Sequence, residues 1–423
     1  MHRLALWLLA LAVALLPVGA VAQGAVADPA LRTKADALVA ILDGRGAYDT
    51  YFAASFREKV PKAQFSTIVA KLKATLGAPQ KIESLTATWA WSADLVVGYE
   101  RGTASVRLAL DPAAPHAATG LLITGTGARD DSLAKVEAEF RALPGASGLG
   151  LYALGAGKPE PILEYRADIA APLGSAFKLW VLAELARQVA ADERHWTDVV
   201  KVGAPSLPSG VLQTWPAESP VTVQTLATLM ISISDNTATD TLLTTLGRTK
   251  VDAMAEAAGG SVPVMTTREM FALKGDSALT KAWAAGSVEE RRALLVDNAV
   301  KIATAKLDPT VFAGKPVAID SVEWFASPAA MAGLMDRLRG ADATTRAVLA
   351  VNAGVDPAIA KRFGYVGFKG GGEPGVLTLN YLVQAKDGRW YAATGNWHRA
   401  DDAVNEVRFA GLMGRALALL AAR

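Results

Sequence analysis

The chain has no cysteine. This excludes disulfides and thiolate metal ligation, so the fold must be held by its core. Histidine is nearly as scarce: only His2, His116, His195 and His398 occur. No two stand at H-x-x-x-H or similar spacing, which argues against a histidine zinc site. His195 sits in Asp192-Glu193-Arg194-His195-Trp196, a polar stretch that reads as surface or helix-capping. An excess of one charge is also missing. With 43 Lys+Arg against 41 Asp+Glu and no basic block, nucleic acid is not an expected partner. Neither a metal nor a cofactor is expected.

The first residues carry an address. Arg3 precedes an apolar run from Leu4 to Leu16, and Ala20-Val21-Ala22 offers a small-x-small cleavage site. The run is too short to span a bilayer, so residues 1–22 read as a secretory signal peptide. The expected location is periplasmic or extracellular. No cysteine follows the signal, so lipidation there is excluded. At about 400 residues, the remainder is long enough for two domains.

Residues 29–145 read as a small α+β unit. Helical patterns over Ala30–Leu42 and Lys62–Leu76 precede strand patterns at Ile82–Trp91, Leu95–Arg101, Thr103–Leu110 and Gly120–Thr126. Asp111-Pro112-Ala113-Ala114-Pro115 is the turn before the last strand. Helices followed by an antiparallel sheet resemble the nuclear-transport-factor-2 and cystatin-like folds. The segment from Ala128 to Ser147 turns from helical to Gly/Pro-rich and reads as a linker.

Residues 148–423 form a second pattern. Gly148–Leu154 and Ile162–Tyr165 flank a Gly-Ala-Gly turn and read as a hairpin. A long helical region follows. Val288–Ala305 reads there as one charged amphipathic helix, and Ser327-Pro328 opens another as N-cap and N1. Strands return at Tyr365–Lys369, Val376–Ala385 and Arg389–Gly395, with an Asp387-Gly388 turn, and a helix closes the chain from about Asp401 to Ala421. Strands from both ends with a helical lobe between them predict an α/β sandwich with an α insertion.

The chemistry starts at Ser175-Ala176-Phe177-Lys178, where a strand pattern gives way to the apolar helix Leu179-Trp180-Val181-Leu182. A serine at that junction sits near the positive helix end, and a lysine three residues on shares its face. Such a lysine accepts the serine's proton if burial or a second cation lowers its pKa. The spacing alone is not distinctive. Roughly one or two S-x-x-K matches are expected by chance in a chain this long. A second occurs at Ser132-Leu133-Ala134-Lys135, in a charged stretch where Ser132 reads as an N-cap.

Two further motifs distinguish Ser175. Ser234-Asp235-Asn236 breaks an apolar helix pattern over Thr225–Ile233, and Lys369-Gly370-Gly371-Gly372 closes an apolar strand. The order Ser-x-x-Lys, Ser-Asp-Asn, Lys-x-Gly resembles the class A β-lactamase-like serine hydrolases, the superfamily that includes penicillin-binding transpeptidases. The 59 residues between Ser175 and Ser234 (234 − 175) suit that family. The resemblance covers about Gly148 to Arg423.

It implies the following roles. Ser175 is the nucleophile and Lys178 its proton acceptor or electrostatic support. The N–H groups of Ser175 and Gly372 form the oxyanion hole. Ser234 relays a proton to the leaving nitrogen, assisted by Lys369. Asn236 binds an acylamide side chain, Asp235 braces the loop, and Gly370, Gly371 and Gly372 let the acyl group approach the strand edge.

Two departures stand out. Gly370 occupies the place of a Thr or Ser whose hydroxyl normally helps hold a substrate carboxylate. The deacylating glutamate is the second. Glu269, in Thr266-Thr267-Arg268-Glu269, lies 33 residues past Asn236 (269 − 236) and is the candidate base; it reads equally as a partner of Arg268 or a loop cap. The family's own position for that glutamate holds Leu273 here.

The expected substrate is a β-lactam or a related strained amide or ester, opened through an acyl-enzyme. A cell-wall transpeptidase or carboxypeptidase, and a binding module that acylates and stops, are the alternatives. An added N-terminal domain also resembles lactamase-like proteins with esterase-type activity, so the fold alone leaves the substrate open.

Overall fold

The computed structural model describes residues 28–128, 130–306 and 314–423. The predicted signal peptide lies outside them. The chain divides into two compact units, the second beginning at Asp130.

The first unit opens with the helix Pro29–Leu42, capped by the Asp28 carboxylate on the Ala30 N–H and carrying Pro29 in its first turn. Its buried residues Leu31, Ala35, Leu38 and Leu42 recur at helical spacing. The helix Lys62–Leu76 follows two short helical turns. An antiparallel meander comes next: β1 (Pro79–Trp89), β2 (Ser92–Tyr99), β3 (Gly102–Leu110) and β4 (Ala118–Ala128). In β3, Ala104, Val106, Leu108 and Leu110 alternate into the core, the period-2 pattern of a sheet with one covered face.

The boundary differs from the sequence expectation. Residues 130–145 belong with the second unit, because the helix Leu133–Arg141 buries Val136 and Phe140 against Leu149, Leu151, Phe409 and Leu417. Ser147 Oγ donates to the Phe140 carbonyl at 2.8 Å and fixes the return. The stretch that looked like a linker is a tight turn off a helix that buries one face.

The second unit holds a five-stranded antiparallel sheet. Its strands are β5 (Ala146–Leu154), β6 (Glu160–Tyr165), β7 (Phe363–Glu373), β8 (Val376–Ala385) and β9 (Trp390–His398), in the order β7-β8-β9-β5-β6. The two ends of the unit therefore share one sheet. Val376 to Val383 is buried at every position, as a strand covered on both faces must be. Helices Leu133–Arg141 and Glu406–Leu420 cover one face, and the helical lobe between β6 and β7 supplies the main core. The predicted Val288–Ala305 helix is two helices, Val288–Asp297 and Ala299–Thr304, divided at Asn298, whose side chain donates back to the Leu294 carbonyl. The closing helix starts at Glu406, where the Asn405 side chain caps the Arg408 N–H.

Candidate active site

Ser175 sits on a single 3-10 turn, Gly174–Phe177, that runs directly into the helix Lys178–Ala190. This helix is apolar nearly all round, with Leu179, Trp180, Val181, Leu182 and Leu185 fully buried, so it lies at the centre of the lobe and is held rigidly. Gly174 has φ +48°, and a Cβ there would lie 2.9 Å from the Gly372 nitrogen. Glycine is required at that corner. Gly371 is equally constrained, since its Cβ would fall 2.0 Å from the Leu173 carbonyl and 2.6 Å from the Ser175 nitrogen. β7 is thus packed backbone-to-backbone against the nucleophile turn. Gly372 and Ser175 line one cavity.

Ser234 joins the two lysines. It follows the helix Val223–Ser232 and has φ +59°, a left-handed conformation that costs about 1–3 kcal/mol in a non-glycine residue. Its surroundings hold it there. Lys178 Nζ donates to the Ser234 carbonyl at 2.7 Å, to Ser234 Oγ at 3.0 Å and to Asn236 Oδ1 at 2.7 Å. Lys369, from β7, donates to the same Oγ at 3.1 Å. Asp235 braces the loop as expected: Oδ1 caps the Ala238 N–H, and Oδ2 accepts the N–H groups of Val211 and Leu212. Asn236 lines the cavity, and its Nδ2 donates to the Leu207 carbonyl at 3.0 Å.

Both lysines are buried. Burial, and then the neighbouring Lys369 charge, push the Lys178 pKa well down. Burial alone takes Lys369 to about 7. A buried amine near neutrality accepts and returns protons, as an acid–base group in acyl transfer must.

The remaining expected residues fall differently. Gly370 turns from the site: a Cβ there would meet Phe368 Cζ at 2.9 Å and Leu379 Cδ2 at 3.1 Å, so an added side chain would meet apolar groups. Glu269 does not line the cavity. It is the third residue of the helix Thr267–Lys274 and closes a capping box with Thr266. Both its oxygens also accept from Arg248, at 2.7 and 2.9 Å, while Arg268 instead reaches the Ala303 carbonyl. Leu273 is buried in the core. Ser132 caps the Leu133–Arg141 helix through the Lys135 N–H at 3.2 Å.

Sequence reasoning missed one group. Lys274 Nζ lies 3.2 Å from Glu323 Oε1 and also binds Glu373, and all three side chains are almost wholly buried. Glu323 and Glu373 line the cavity with Ser175. Glu323 Oε2 accepts the Gly174 N–H at 3.2 Å, beside the nucleophile. Trp324, next in the chain, stacks on Phe177 with ring centroids 3.8 Å apart and anchors this segment. Strand alternation could have found Glu373, because positions 369, 371 and 373 of β7 share a face. Glu323 lies in an aperiodic stretch with no such signal.

Comparison with known proteins identifies a family. The model of the β-lactamase enzyme family matches residues 131–350, more than half of the 423-residue chain. No curated protein sequence matches. Among solved structures, a β-lactamase from Sphaerobacter thermophilus DSM 20745 is 22% identical with TM-score 0.44, over 68% of this chain and 94% of that one. An acyl-enzyme complex of a PBP-A mutant with penicillin-G is 16% identical with TM-score 0.47, also over 68% and 94%. A β-lactamase from Chitinophaga pinensis DSM 2588 is 17% identical with TM-score 0.45, over 69% and 98%. With the family model spanning the nucleophile turn and the Ser-Asp-Asn loop, the chain belongs to the β-lactamase enzyme family.

Proposed function

We propose that this protein is an exported serine hydrolase that opens a β-lactam or a related amide or ester through an acyl-enzyme on Ser175. The observation that carries the reading is Ser234 Oγ, held within hydrogen-bond distance of two buried lysines whose pKa values burial lowers. Ser175 Oγ attacks the carbonyl carbon, and its proton passes to Lys178, which in its neutral form gives up one of its three donated hydrogen bonds, the one to Ser234 Oγ. The developing oxyanion is met by the N–H groups of Ser175 and Gly372. The C–N or C–O bond then breaks, and the leaving atom takes a proton through Ser234, whose hydroxyl Lys369 supports.

Residues 1–22 are removed on export, so the mature chain begins after Ala22; N-terminal sequencing of the secreted protein checks this.

A time course with a chromogenic cephalosporin and with p-nitrophenyl acetate, read together with intact mass, tests the reading. The expected result is an acyl adduct on Ser175 that forms and clears. A stoichiometric burst without clearance would identify a penicilloyl-binding module, and no adduct with either probe would reject the hydrolase.

A further inference from the structure

We infer that the base for hydrolysis of the acyl-enzyme is Glu373, supplied by strand β7 and positioned by Glu323 and Lys274. The inference rests on the acyl-enzyme reading above. The resemblance places the deacylating glutamate at the position held by Leu273, which is buried in the core. The next residue, Lys274, binds two carboxylates from other segments, Glu323 and Glu373. Both face the cavity that Ser175 lines. The loop carries leucine where the resemblance places the carboxylate, and the lysine beside it gathers two others.

The two glutamates differ in their partners: Glu373 binds Lys274 and shares a side-chain hydrogen bond with Glu323. Glu323 has both oxygens held: Oε1 faces Lys274, and Oε2 accepts the N–H groups of Gly174 at 3.2 Å and Trp324 at 3.1 Å. It is a positioning residue. Glu373 ends β7, immediately after the oxyanion-hole residue Gly372. Alternation along the strand puts it on the face of Gly371 and Lys369, the face that meets the nucleophile turn.

Among the described residues, the charged groups that face it are Glu323 and Lys274. Burial, then the Glu323 charge, raise its pKa well above the usual carboxylate range, with Lys274 opposing. A base so raised takes a proton from water more readily once it is ionised.

The step balances within the site. A water oxygen bonds to the acyl carbon, and its proton passes to Glu373. The acyl carbon–Oγ bond then breaks and the same proton is returned to Ser175 Oγ, which releases the free acid and the free serine.

The test uses the full chain and follows the acyl adduct of Ser175, formed with benzylpenicillin or p-nitrophenyl acetate, by intact mass across pH. Glu373→Gln is expected to acylate within a few-fold of wild type and to clear its adduct about a hundredfold more slowly. Glu373→Asp should recover part of that rate. Wild-type clearance should rise with pH as Glu373 ionises, and the Glu373→Gln profile should be flat. Glu269→Gln should clear normally.

A folded Glu373→Gln protein that clears at the wild-type rate overturns the inference. So does a wild-type adduct that never clears, or one whose clearance ignores pH; the last arm decides the matter even if the Gln variant fails to fold. Absence of any Ser175 adduct in the wild type rejects the acyl-enzyme reading itself, and this inference with it.

Discussion

A Cβ placed on Gly371 would lie 2.6 Å from the backbone nitrogen of Ser175. Strand β7 and the turn that carries Ser175 therefore meet at glycine contact, and the proposed oxyanion donors depend on that approach. Gly371→Ala should shift the turn, lower stability by about 1–3 kcal/mol and slow acylation by about two orders of magnitude. Gly370→Thr should behave differently, because its nearest neighbours are the side chains of Phe368 and Leu379, with the Thr378 carbonyl at 3.3 Å the closest backbone atom. Acylation rates and thermal melts of the two variants provide the check, and equal behaviour would contradict the packing argument.

Ser175→Ala should abolish covalent labelling by a fluorescent penicillin or a fluorophosphonate. Ser132→Ala should leave labelling intact and cost about 1 kcal/mol of stability through the lost cap. Labelling that survives in Ser175→Ala would move the nucleophile elsewhere.

Lys178→Ala and Lys369→Ala should each slow acylation by about two to four orders of magnitude. Lys178→Ala should also loosen the Ser234 loop, because it removes the donor to the Ser234 carbonyl and to Asn236. Stopped-flow acylation rates within a few-fold of wild type would rule out the lysine mechanism.

Lys369 also gives stability a pH dependence. Its folded pKa of about 7 lies below its unfolded value of 10.5, so between those values the unfolded chain binds more protons. Stability then rises with pH across that window. Relative to Lys369→Met, the wild type should gain stability from pH 7 to pH 9. Denaturant titrations of both proteins at the two pH values measure it, and a difference that stays constant would mean the buried amine is not depressed.

Glu269→Gln should lower stability by about 1 kcal/mol, through the weakened capping box and the Arg248 pair. Acylation and deacylation should be unchanged. An acyl adduct that accumulates in this variant, seen by intact mass, would make Glu269 the base after all.

The sequence by itself determined the architecture and the motifs proposed to carry acylation. Continuous apolar strands and the largely apolar helix after Ser175 must bury their surfaces against neighbouring elements. Ser175, Lys178, Ser234 and Lys369 were readable because each belongs to a local motif, although Ser234 is held in its left-handed conformation by Lys178 from another segment. Asp235 was readable for the same reason, as a polar residue opening a helix. Tertiary structure alone decided the rest. Residues 130–145 joined the second unit because Val136 and Phe140 found partners in a helix nearly the whole unit away in sequence. Glu269 had the right spacing for a base, yet its carboxylate is taken by Arg248, a partner that no local pattern announces. The cluster of Lys274, Glu323 and Glu373 comes from three separate segments. A buried charge is fixed by whichever opposite charge the fold brings to it in low dielectric, and that meeting is a property of the packed molecule rather than of any stretch of its sequence.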